Sequence, residues 1–323
     1  MHTNVVAGGS CGNVMAVLAY LGWNTYPVAE LGDNNATTLL CKDLARWGVK
    51  TDFITKSAQG ITPVIIHRIF PAKRQHKFEF RNPQTQEWLP RFRPATKKYV
   101  QAISAGFPHA AVYYFDRATP ANLFLAEQSQ AAGTLVVFEP SSCKDRAPFE
   151  RALALAHIVK FSQQRLPNYP TDYPANQALV EIQTQGEKGL MYRMHATGPG
   201  WTHLPAFHAE ETVDTAGAGD WCTAGIIDHL VVRSTGQAAW FSPSDVAQAI
   251  SIGQSYGTVN CYFAGARGAM YHLTNSRLKQ AANRLHQEAD FTLLAEVSTL
   301  VLSSRTEQAS TATQARVEYC ELL

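Results

Sequence analysis

The chain has 323 residues, of which 46% are apolar, and this is enough to fill the core of one large α/β domain or two small ones. Its 28 Lys and Arg residues nearly balance its 26 Asp and Glu residues, so the overall charge does not favour nucleic acid or an anionic membrane as the main partner. The cysteines are scattered without a Cys-x-x-Cys pair, which predicts reduced core thiols rather than a disulfide framework or a zinc site. With no leader-like segment and no long apolar run, we expect a cytoplasmic protein.

The N-terminal residues predict a strand, a glycine-rich elbow and a helix. Val5-Val6-Ala7 is strand-like, Gly8-Gly9-Ser10-Cys11-Gly12-Asn13 is the elbow, and apolar residues from Val14 onward recur at helical spacing. Such an elbow lets a ligand approach the backbone closely. A tight turn with Asn13 as the helix N-cap explains the same residues, so both interpretations stay open here.

The following residues predict a β-α-β rhythm, which is then interrupted. A helix is expected over Thr37 to Trp47, ending at Gly48. Ile61 to Phe70 and His76 to Phe80 look like a pair of strands. Basic residues on and between these strands are typical of a solvated face, and they also fit a phosphorylated substrate. They are His67, Arg68, Arg74, His76 and Lys77.

Alternating strands and helices resume near residue 95 and predict a parallel sheet covered on both faces. Apolar strands are expected over Ala110 to Phe115, Thr134 to Phe138 and His157 to Phe161. Parallel sheets gather ligands at the carboxyl ends of their strands. Three charged residues at such ends are therefore expected to reach one crevice, and they are Arg117, Glu139 and Lys160.

The next strand, Leu179 to Thr184, leads through a glycine-containing turn into Leu190 to Met194, which we expect to return antiparallel. On its own this segment is a hairpin. Farther on, Ser242-Pro243-Ser244-Asp245 predicts the start of a long helix that reaches about Thr258.

The stretch Asp214-Thr215-Ala216-Gly217-Ala218-Gly219-Asp220 places small residues between two carboxylates, and Trp221 to Val232 follows with helical apolar spacing. Uncapped N–H groups at a helix start attract phosphate. A carboxylate there is costly unless it accepts a proton from a hydroxyl that attacks the phosphate, so Asp220 is the candidate general base. The alternative is that Asp214 and Asp220 only hold and cap a tight turn.

These residues resemble the ribokinase-like (PfkB) family of carbohydrate and nucleoside kinases over roughly Val5 to Leu273. The stretch that ends in Asp220 matches the family signature Asp-Thr-x-Gly-Ala-Gly-Asp, and the elbow matches Gly-Gly-x-x-x-Asn. The resemblance implies a three-layer α/β/α fold with a mostly parallel central sheet and a small β-lid. We expect the kinase domain over 1–60 and 95–300, the lid over 61–94, and a peripheral C-terminal tail over 301–323 that is rich in Ser, Thr, Gln and Glu.

The resemblance also implies an activity and roles for residues. The activity is ATP-dependent phosphorylation of a hydroxyl of a sugar, sugar phosphate or nucleoside, with Mg²⁺ and, in many relatives, a monovalent cation such as K⁺. Asp220 would be the base, and Gly217, Ala218 and Gly219 would form the anion hole. Residues expected at the nucleotide are Lys160, Thr184, Gly186, Gly189, Thr215, Asn260 and Gly265. Residues expected at the acceptor substrate are Gly8, Gly9, Asn13, Asn34 and Arg117. Relatives also pair through their lids, so a homodimer is compatible with the sequence.

The chain departs from the family pattern at several positions. No Asp precedes the elbow at the end of a strand, and Asn34 occupies a carboxylate position of the family. Ser162 and Arg165 replace the Asn and Glu of an Asn-x-x-Glu motif that helps to organise magnesium, and Glu139 is the candidate to restore negative charge near the metal. A second hypothesis therefore stays open, a nucleotide-binding or sugar-binding sensor of the same fold without turnover. Substrate identity does not follow from the sequence.

Overall fold

The computed structural model describes residues 5–70, 75–175, 177–209, 212–233 and 241–294. These form two compact units. Of the described residues, the first unit contains those up to Pro94, those within Ala209–Trp221 and those from Ser255 onward, and the second contains those within Ala95–His208 and Cys222–Gln254. The tail predicted over 301–323, Arg74 of the predicted lid and the side chain of His76 lie outside the described part of the chain. The predicted domain boundaries stay a prediction.

Helices and strands follow one another along the chain in the order that an α/β protein requires. The strands are β1 (Ala29–Gly32), β2 (Ile54–Ser57), β3 (Ile66–Phe70), β4 (Gln75–Glu79), β5 (Val112–Phe115), β6 (Leu135–Phe138), β7 (Ile158–Ser162), β8 (Val180–Thr184), β9 (Leu190–Met194) and β10 (Gly198–Leu204). The α-helices are α1 (Ser10–Tyr20), α2 (Asn35–Arg46), α3 (Lys97–Ile103), α4 (Pro120–Ala131), α5 (Arg146–Leu155), α6 (Tyr169–Asp172), α7 (Ala218–Arg233), α8 (Pro243–Cys261), α9 (Gly268–His272) and α10 (Asn275–Glu288).

The strand predicted over Val5–Ala7 is wrong. Val5 and Val6 are 40% and 51% exposed, and these residues lie outside every described strand. The backbone of Ala7 is held by side chains instead, because Ala7 N donates to Asp43 Oδ2 at 2.8 Å and Arg267 Nη2 donates to Ala7 O at 2.6 Å. Two charged side chains thus satisfy the backbone N–H and C=O of this residue, as a neighbouring strand would otherwise do.

The first two helices of the first unit begin earlier than the apolar spacing suggests. Helix α1 begins at Ser10 with Gly9 as its N-cap, so the interpretation of Asn13 as the N-cap is wrong. Helix α2 begins at Asn35, because the Asn34 side chain accepts a hydrogen bond from Thr37 N. β1 and β2, which precede and follow α2 in the chain, pair in parallel and confirm the predicted β-α-β rhythm.

Both predicted lid strands are present, but the first is shorter because it begins at Ile66 instead of Ile61. β3 and β4 pair antiparallel, with Ile66 opposite Glu79. Residues 61–65 do not extend β3, because Thr62 accepts from Gly32 N at 3.1 Å and Val64 N donates to Pro90 O at 3.0 Å. Ile65, Phe78 and Phe80 leave about half of their surface exposed. Pairing of two copies through this lid stays a prediction.

The second unit contains the main sheet, with strand order β10-β9-β8-β7-β6-β5. β5 to β8 are parallel, and β9 and β10 add antiparallel strands at one edge, as predicted for the return strand. Every residue of β6 is buried, which is typical of a strand covered on both faces. Phe115, Phe138, Phe149 and Phe161 belong to the apolar cluster beside the sheet. The sheet therefore has the apolar strands that the sequence predicts.

Two further predictions concern the cysteines and helix α8. The described cysteines are all free thiols, but only Cys222 among them is buried, three are partly buried and Cys143 is exposed, so the prediction of core thiols holds for Cys222 and fails at Cys143. Helix α8 begins at Pro243 as predicted, with Asp245 N donating to Ser242 Oγ at 3.1 Å, and it continues to Cys261. Within the described residues, no helix combines the length and the apolar content that a membrane span needs.

Candidate active site

The predicted catalytic stretch is a turn that leads directly into α7, whose first residue is Ala218. Gly217 has a φ of 76°, and a side chain at this position would clash with the carbonyl oxygen of Ala266. Trp221 N donates to Gly217 O at 2.9 Å and closes the first turn of the helix. A glycine is thus required at 217 by both backbone conformation and space.

Asp214, at the start of the turn, holds the backbone in place. It is 4% exposed. Its Oδ1 accepts from Ala216 N at 3.0 Å, and its Oδ2 accepts from Gly265 N at 2.9 Å. The His67 Nε2 atom of β3 lies 3.9 Å from the same Oδ2. The structural alternative considered for both carboxylates of the stretch therefore describes Asp214 well.

Asp220, at the other end, differs from Asp214 in exposure and in its partner. It lies in the first turn of α7, where the helix dipole favours a negative charge, and it is partly exposed. Asn13 Nδ2 donates to Asp220 Oδ2 at 2.7 Å. This contact joins the two matched family motifs across 207 residues of sequence.

Asn13 itself carries an incomplete set of hydrogen bonds. The residue is 6% exposed, and among the described residues its Oδ1 atom has no hydrogen-bond partner. Leaving a buried acceptor unsatisfied costs about 1–3 kcal/mol, so a donor from outside the protein would be stabilised there. Sequence reasoning placed Asn13 at the substrate but did not predict its contact with Asp220.

The predicted anion hole is partly used by the turn itself. Ala216 N donates to Asp214 Oδ1, and Ala218 N donates to Thr215 O at 3.2 Å. Within the described chain, no hydrogen bond engages Gly217 N. The first amides of α7 keep the orientation that favours an anion, because a helix start carries a partial positive charge.

The end of α8 and the loop that follows it pack against this turn. Asn260 is completely buried, and its Nδ2 donates to Ala216 O at 3.1 Å and to the Gly265 and Ala266 carbonyl oxygens at 3.4 Å each. Its Oδ1 accepts from Ala269 N at 3.1 Å. Trp221 Nε1 also donates to Ala266 O, at 3.1 Å. The side chain of Asn260 is therefore engaged inside the protein, and its predicted contact with the nucleotide stays a prediction.

Other predicted ligand residues of the first unit are placed as follows. Gly8 and Gly9, which directly follow Ala7, are exposed, and Thr215 is exposed in the turn. Asn34 uses its Oδ1 as the cap of α2. The contacts of Asp43 and Arg267 with the backbone of Ala7 were not predicted from the sequence. The two side chains also pair with each other at 2.6 Å, but they are 224 residues apart in the chain and no local pattern relates them.

In the second unit, Glu139 and Lys160 come together but close on each other. Lys160 Nζ donates to Glu139 Oε1 at 2.7 Å, while Glu139 Oε2 accepts from Tyr114 Oη at 3.1 Å and from Thr223 Oγ1 at 2.6 Å. Lys160 is 2% exposed. Both oxygens of Glu139 thus have protein donors, which does not fit the predicted role of this residue as a metal ligand. In the described parts of the chain, no group of three or more His, Cys, Asp or Glu residues could hold a metal ion.

The remaining predicted residues of the second unit lie at strand ends. Arg117 is exposed, with its Nε atom 3.8 Å from Asp116 Oδ1. Thr184 ends β8, and Gln185 N donates to Gly189 O at 2.8 Å to close the hairpin. Gly189 packs so closely on Leu204 that a side chain there would clash. Gly186 is exposed in the same hairpin, as a nucleotide contact would require.

The chain is similar to known proteins in both sequence and fold. The family model described as pfkB family carbohydrate kinase matches residues 1–272. A curated relative, fructokinase from Vibrio alginolyticus, is 23% identical over 285 residues, which are 81% of this chain and 88% of the relative.

Two solved structures share the fold. The fructokinase of Xylella fastidiosa with bound ATP has a TM-score of 0.69 and 19% identity, covering 87% of this chain and 91% of its own. The aminoimidazole riboside kinase of Salmonella enterica, complexed with aminoimidazole riboside and an ATP analog, has a TM-score of 0.65 and 22% identity, covering 85% and 91%. The predicted three-layer α/β/α fold with a mostly parallel sheet is confirmed. The chain belongs to the pfkB family of carbohydrate kinases.

Proposed function

We propose that this protein transfers the γ-phosphoryl group of ATP to a hydroxyl of a sugar, sugar phosphate or nucleoside. The observation that carries the proposal is Asp220, a partly exposed carboxylate in the first turn of α7 that Asn13 holds at 2.7 Å. Fructokinase and aminoimidazole riboside kinase among the similar proteins support an acceptor of this size and chemistry. ATP enters as its magnesium complex and is a substrate of the reaction.

Asp220 acts as the general base. The acceptor oxygen attacks the γ-phosphorus and forms the new O–P bond, the bond between the γ-phosphorus and the β-γ bridging oxygen breaks, and ADP leaves. The proton of the acceptor hydroxyl passes to the Asp220 carboxylate and from there to solvent. The hydrogen bond from Asn13 fixes the orientation of that carboxylate, which keeps it aligned with the attacking hydroxyl.

Asn13 also contributes to substrate binding. Its buried Oδ1 atom is satisfied when a hydroxyl of the acceptor donates a hydrogen bond to it. Gly8 and Gly9 offer exposed backbone beside α1, and Asn34 and Arg117 are the further residues that we assign to the acceptor. The first amides of α7, with Gly217 before them, receive the negative charge of the transferring phosphoryl group.

We assign the nucleotide to Thr184, Gly186, Gly189, Thr215 and Gly265, on the strength of their matches to the family. Lys160 and Asn260 support these elements from inside the protein, since both side chains are buried and bonded internally. No step is assigned to a metal held by Glu139, because its oxygens already accept from Lys160, Tyr114 and Thr223.

Replacement of Asp220 by Asn tests the proposal. The variant keeps the shape of the side chain and loses the base, so kcat should fall by about 10²–10⁴-fold. The Kd for ATP should change by less than about threefold, because the base contacts the acceptor rather than the nucleotide. ADP release across a panel of sugars, sugar phosphates and nucleosides measures the first quantity, and calorimetry measures the second.

The matched control is Asp145→Asn, since Asp145 is an exposed carboxylate whose side chain makes no capping hydrogen bond. It should leave both quantities unchanged. Full turnover in the Asp220→Asn variant would refute the assignment of the base. A wild-type protein that binds ligand tightly and releases no ADP with any acceptor would instead favour the sensor, which the Ser162 and Arg165 replacements also favour.

A further inference from the structure

We propose that the turn carrying Asp220 is braced entirely by the protein's own side chains, with the amide of Asn260 in place of a monovalent cation, so that K⁺ is not required. We call Asp214, Asn260 and Trp221 the brace. It ties residues 214–217 to Gly265 and Ala266 within the first unit. The inference concerns this chain's departure from relatives that use such an ion, and its activity arm rests on the proposed function.

The first observation is where the carbonyl groups point. The oxygens of Ala216, Gly265 and Ala266 converge on Asn260 Nδ2 at 3.1, 3.4 and 3.4 Å. Converging carbonyl dipoles repel one another unless a donor or a cation lies between them. Here an NH₂ group lies between them, on a side chain that is wholly buried and whose Oδ1 is fixed by Ala269 N at 3.1 Å. A cation could occupy this point only if it displaced Asn260.

The second observation concerns the carboxylate nearest to these carbonyls. A hard cation binds best where oxygen ligands include a carboxylate with room to turn toward it. Both oxygens of Asp214 accept backbone N–H groups, from Ala216 at 3.0 Å and from Gly265 at 2.9 Å. His67 adds a ring nitrogen 3.9 Å from Oδ2. The carboxylate is therefore oriented by donors of the two loops, which hold it in place as part of the brace.

The third observation is that protein groups join the two loops directly. Trp221 Nε1 donates to Ala266 O at 3.1 Å, and Gly217 packs directly against the same carbonyl group. Hydrogen bonds of the brace run in both directions, from side-chain amide to backbone carbonyl and from backbone amide to carboxylate. The position of Gly217, and with it the start of α7, is thus set by contacts with other groups of the protein itself.

The test compares wild-type protein in KCl and in choline chloride at equal ionic strength, by thermal melting and by ADP release. The melting temperature should differ by less than about 1 °C, and kcat should differ by less than about twofold. Because melting needs no turnover, this arm decides the inference even if no acceptor is phosphorylated. A clear rise of the melting temperature or of kcat in K⁺ would overturn it.

Asn260→Asp sharpens the test. The change replaces the donating NH₂ by a carboxylate oxygen of the same size, keeps the acceptor for Ala269 N, and turns the point where the carbonyls meet into an anionic oxygen cage. The variant should melt several degrees lower in choline chloride, and K⁺ should restore at least half of that loss. A variant that K⁺ does not restore would show that the carbonyls do not form a cation-sized site, and this would also overturn the inference.

The matched control is Asn283→Asp, which makes the same chemical change at an exposed position of α10. It should melt like wild type in both salts. If Asn260→Asp does not fold, the wild-type comparison still decides, since an ion-dependent turn would show itself there.

Discussion

The turn at residues 214–220 and the cluster around Glu139 place charged side chains at the ends of apolar segments, yet they use them differently. In the turn, Asp220 is partly exposed and is held by the neutral amide of Asn13. In the cluster, Glu139 and Lys160 are buried and neutralise each other at 2.7 Å. A charged residue at the end of a strand is therefore not by itself evidence of a ligand site, because it can form an ion pair with an opposite charge inside the fold.

The cluster has a structural task that explains this closure. Tyr114 lies on β5, Glu139 directly follows β6, Lys160 lies on β7, and Thr223 lies on α7. One carboxylate therefore fastens three neighbouring strands and a helix of the second unit. The turn of the first unit has the opposite arrangement, since the brace, which includes Asp214, holds it internally, and Asp220, which we propose as the base, is not part of the brace.

The largest effect that would test this contrast is on stability. Lys160→Met leaves the Glu139 carboxylate buried without its counter-charge, so the free energy of unfolding should fall by about 3–5 kcal/mol. Urea denaturation measures it. Lys188→Met, at an exposed lysine, is the control and should cost less than about 0.5 kcal/mol. A Lys160→Met protein as stable as wild type but unable to bind ATP would show that the lysine serves the nucleotide directly.

A smaller effect is expected from the residue that holds Asp220. Asn13→Ala removes a hydrogen bond to a charged group, worth about 1.5–3 kcal/mol, which corresponds to about a 10–100-fold fall in kcat if the bond orients the base. Steady-state kinetics over a pH range separates the two contributions of Asn13, since lost orientation lowers kcat and lost substrate contact raises KM. Asn283→Ala on the exposed face of α10 is the control. Unchanged kcat with reduced stability would make Asn13 a structural residue only.

The smallest effect concerns pH and the second unit. His157 Nδ1 accepts from Val136 N at 2.9 Å, and burial lowers the pKa of this histidine from its ordinary value of 6.5. The unfolded chain therefore takes up the proton first, and stability should fall as the pH drops below about 6.5. His157→Asn keeps an acceptor near the position of Nδ1 and cannot be protonated, so its unfolding profile should be flatter between neutral and acidic pH. His109→Gln, at an exposed histidine, should keep the wild-type slope. An identical slope in His157→Asn would contradict this account.

The contrast also shows which features the sequence could predict. Strands such as β6, and helix starts such as Pro243 behind Ser242, depend on residues close together in the chain, and both were predicted within a residue or two. The Asp220 signature is likewise local. Direct pairing between distant residues was not predicted: the sequence placed Glu139 and Lys160 at neighbouring strand ends, but no local pattern indicates that the two side chains bond to each other.

The same limit explains the errors. Val5 to Ala7 have the composition of a strand, but a strand needs a neighbour, and Asp43 and Arg267 occupy that role for Ala7. The nucleotide contact of Asn260 stays a prediction, but the hydrogen bond from its side chain to the Ala216 carbonyl of the turn was not predicted. In both cases the structural partner was missed, since it lies more than 35 residues away.

The loop at residues 265–268 makes contacts at both family motifs. Arg267 grips the backbone just ahead of the glycine elbow, while its neighbour Ala266 receives Trp221 and packs on Gly217. Adjacent residues thus hold the glycine elbow and the turn that carries Asp220 at once. A substitution that displaced this short loop should therefore disturb both motifs together.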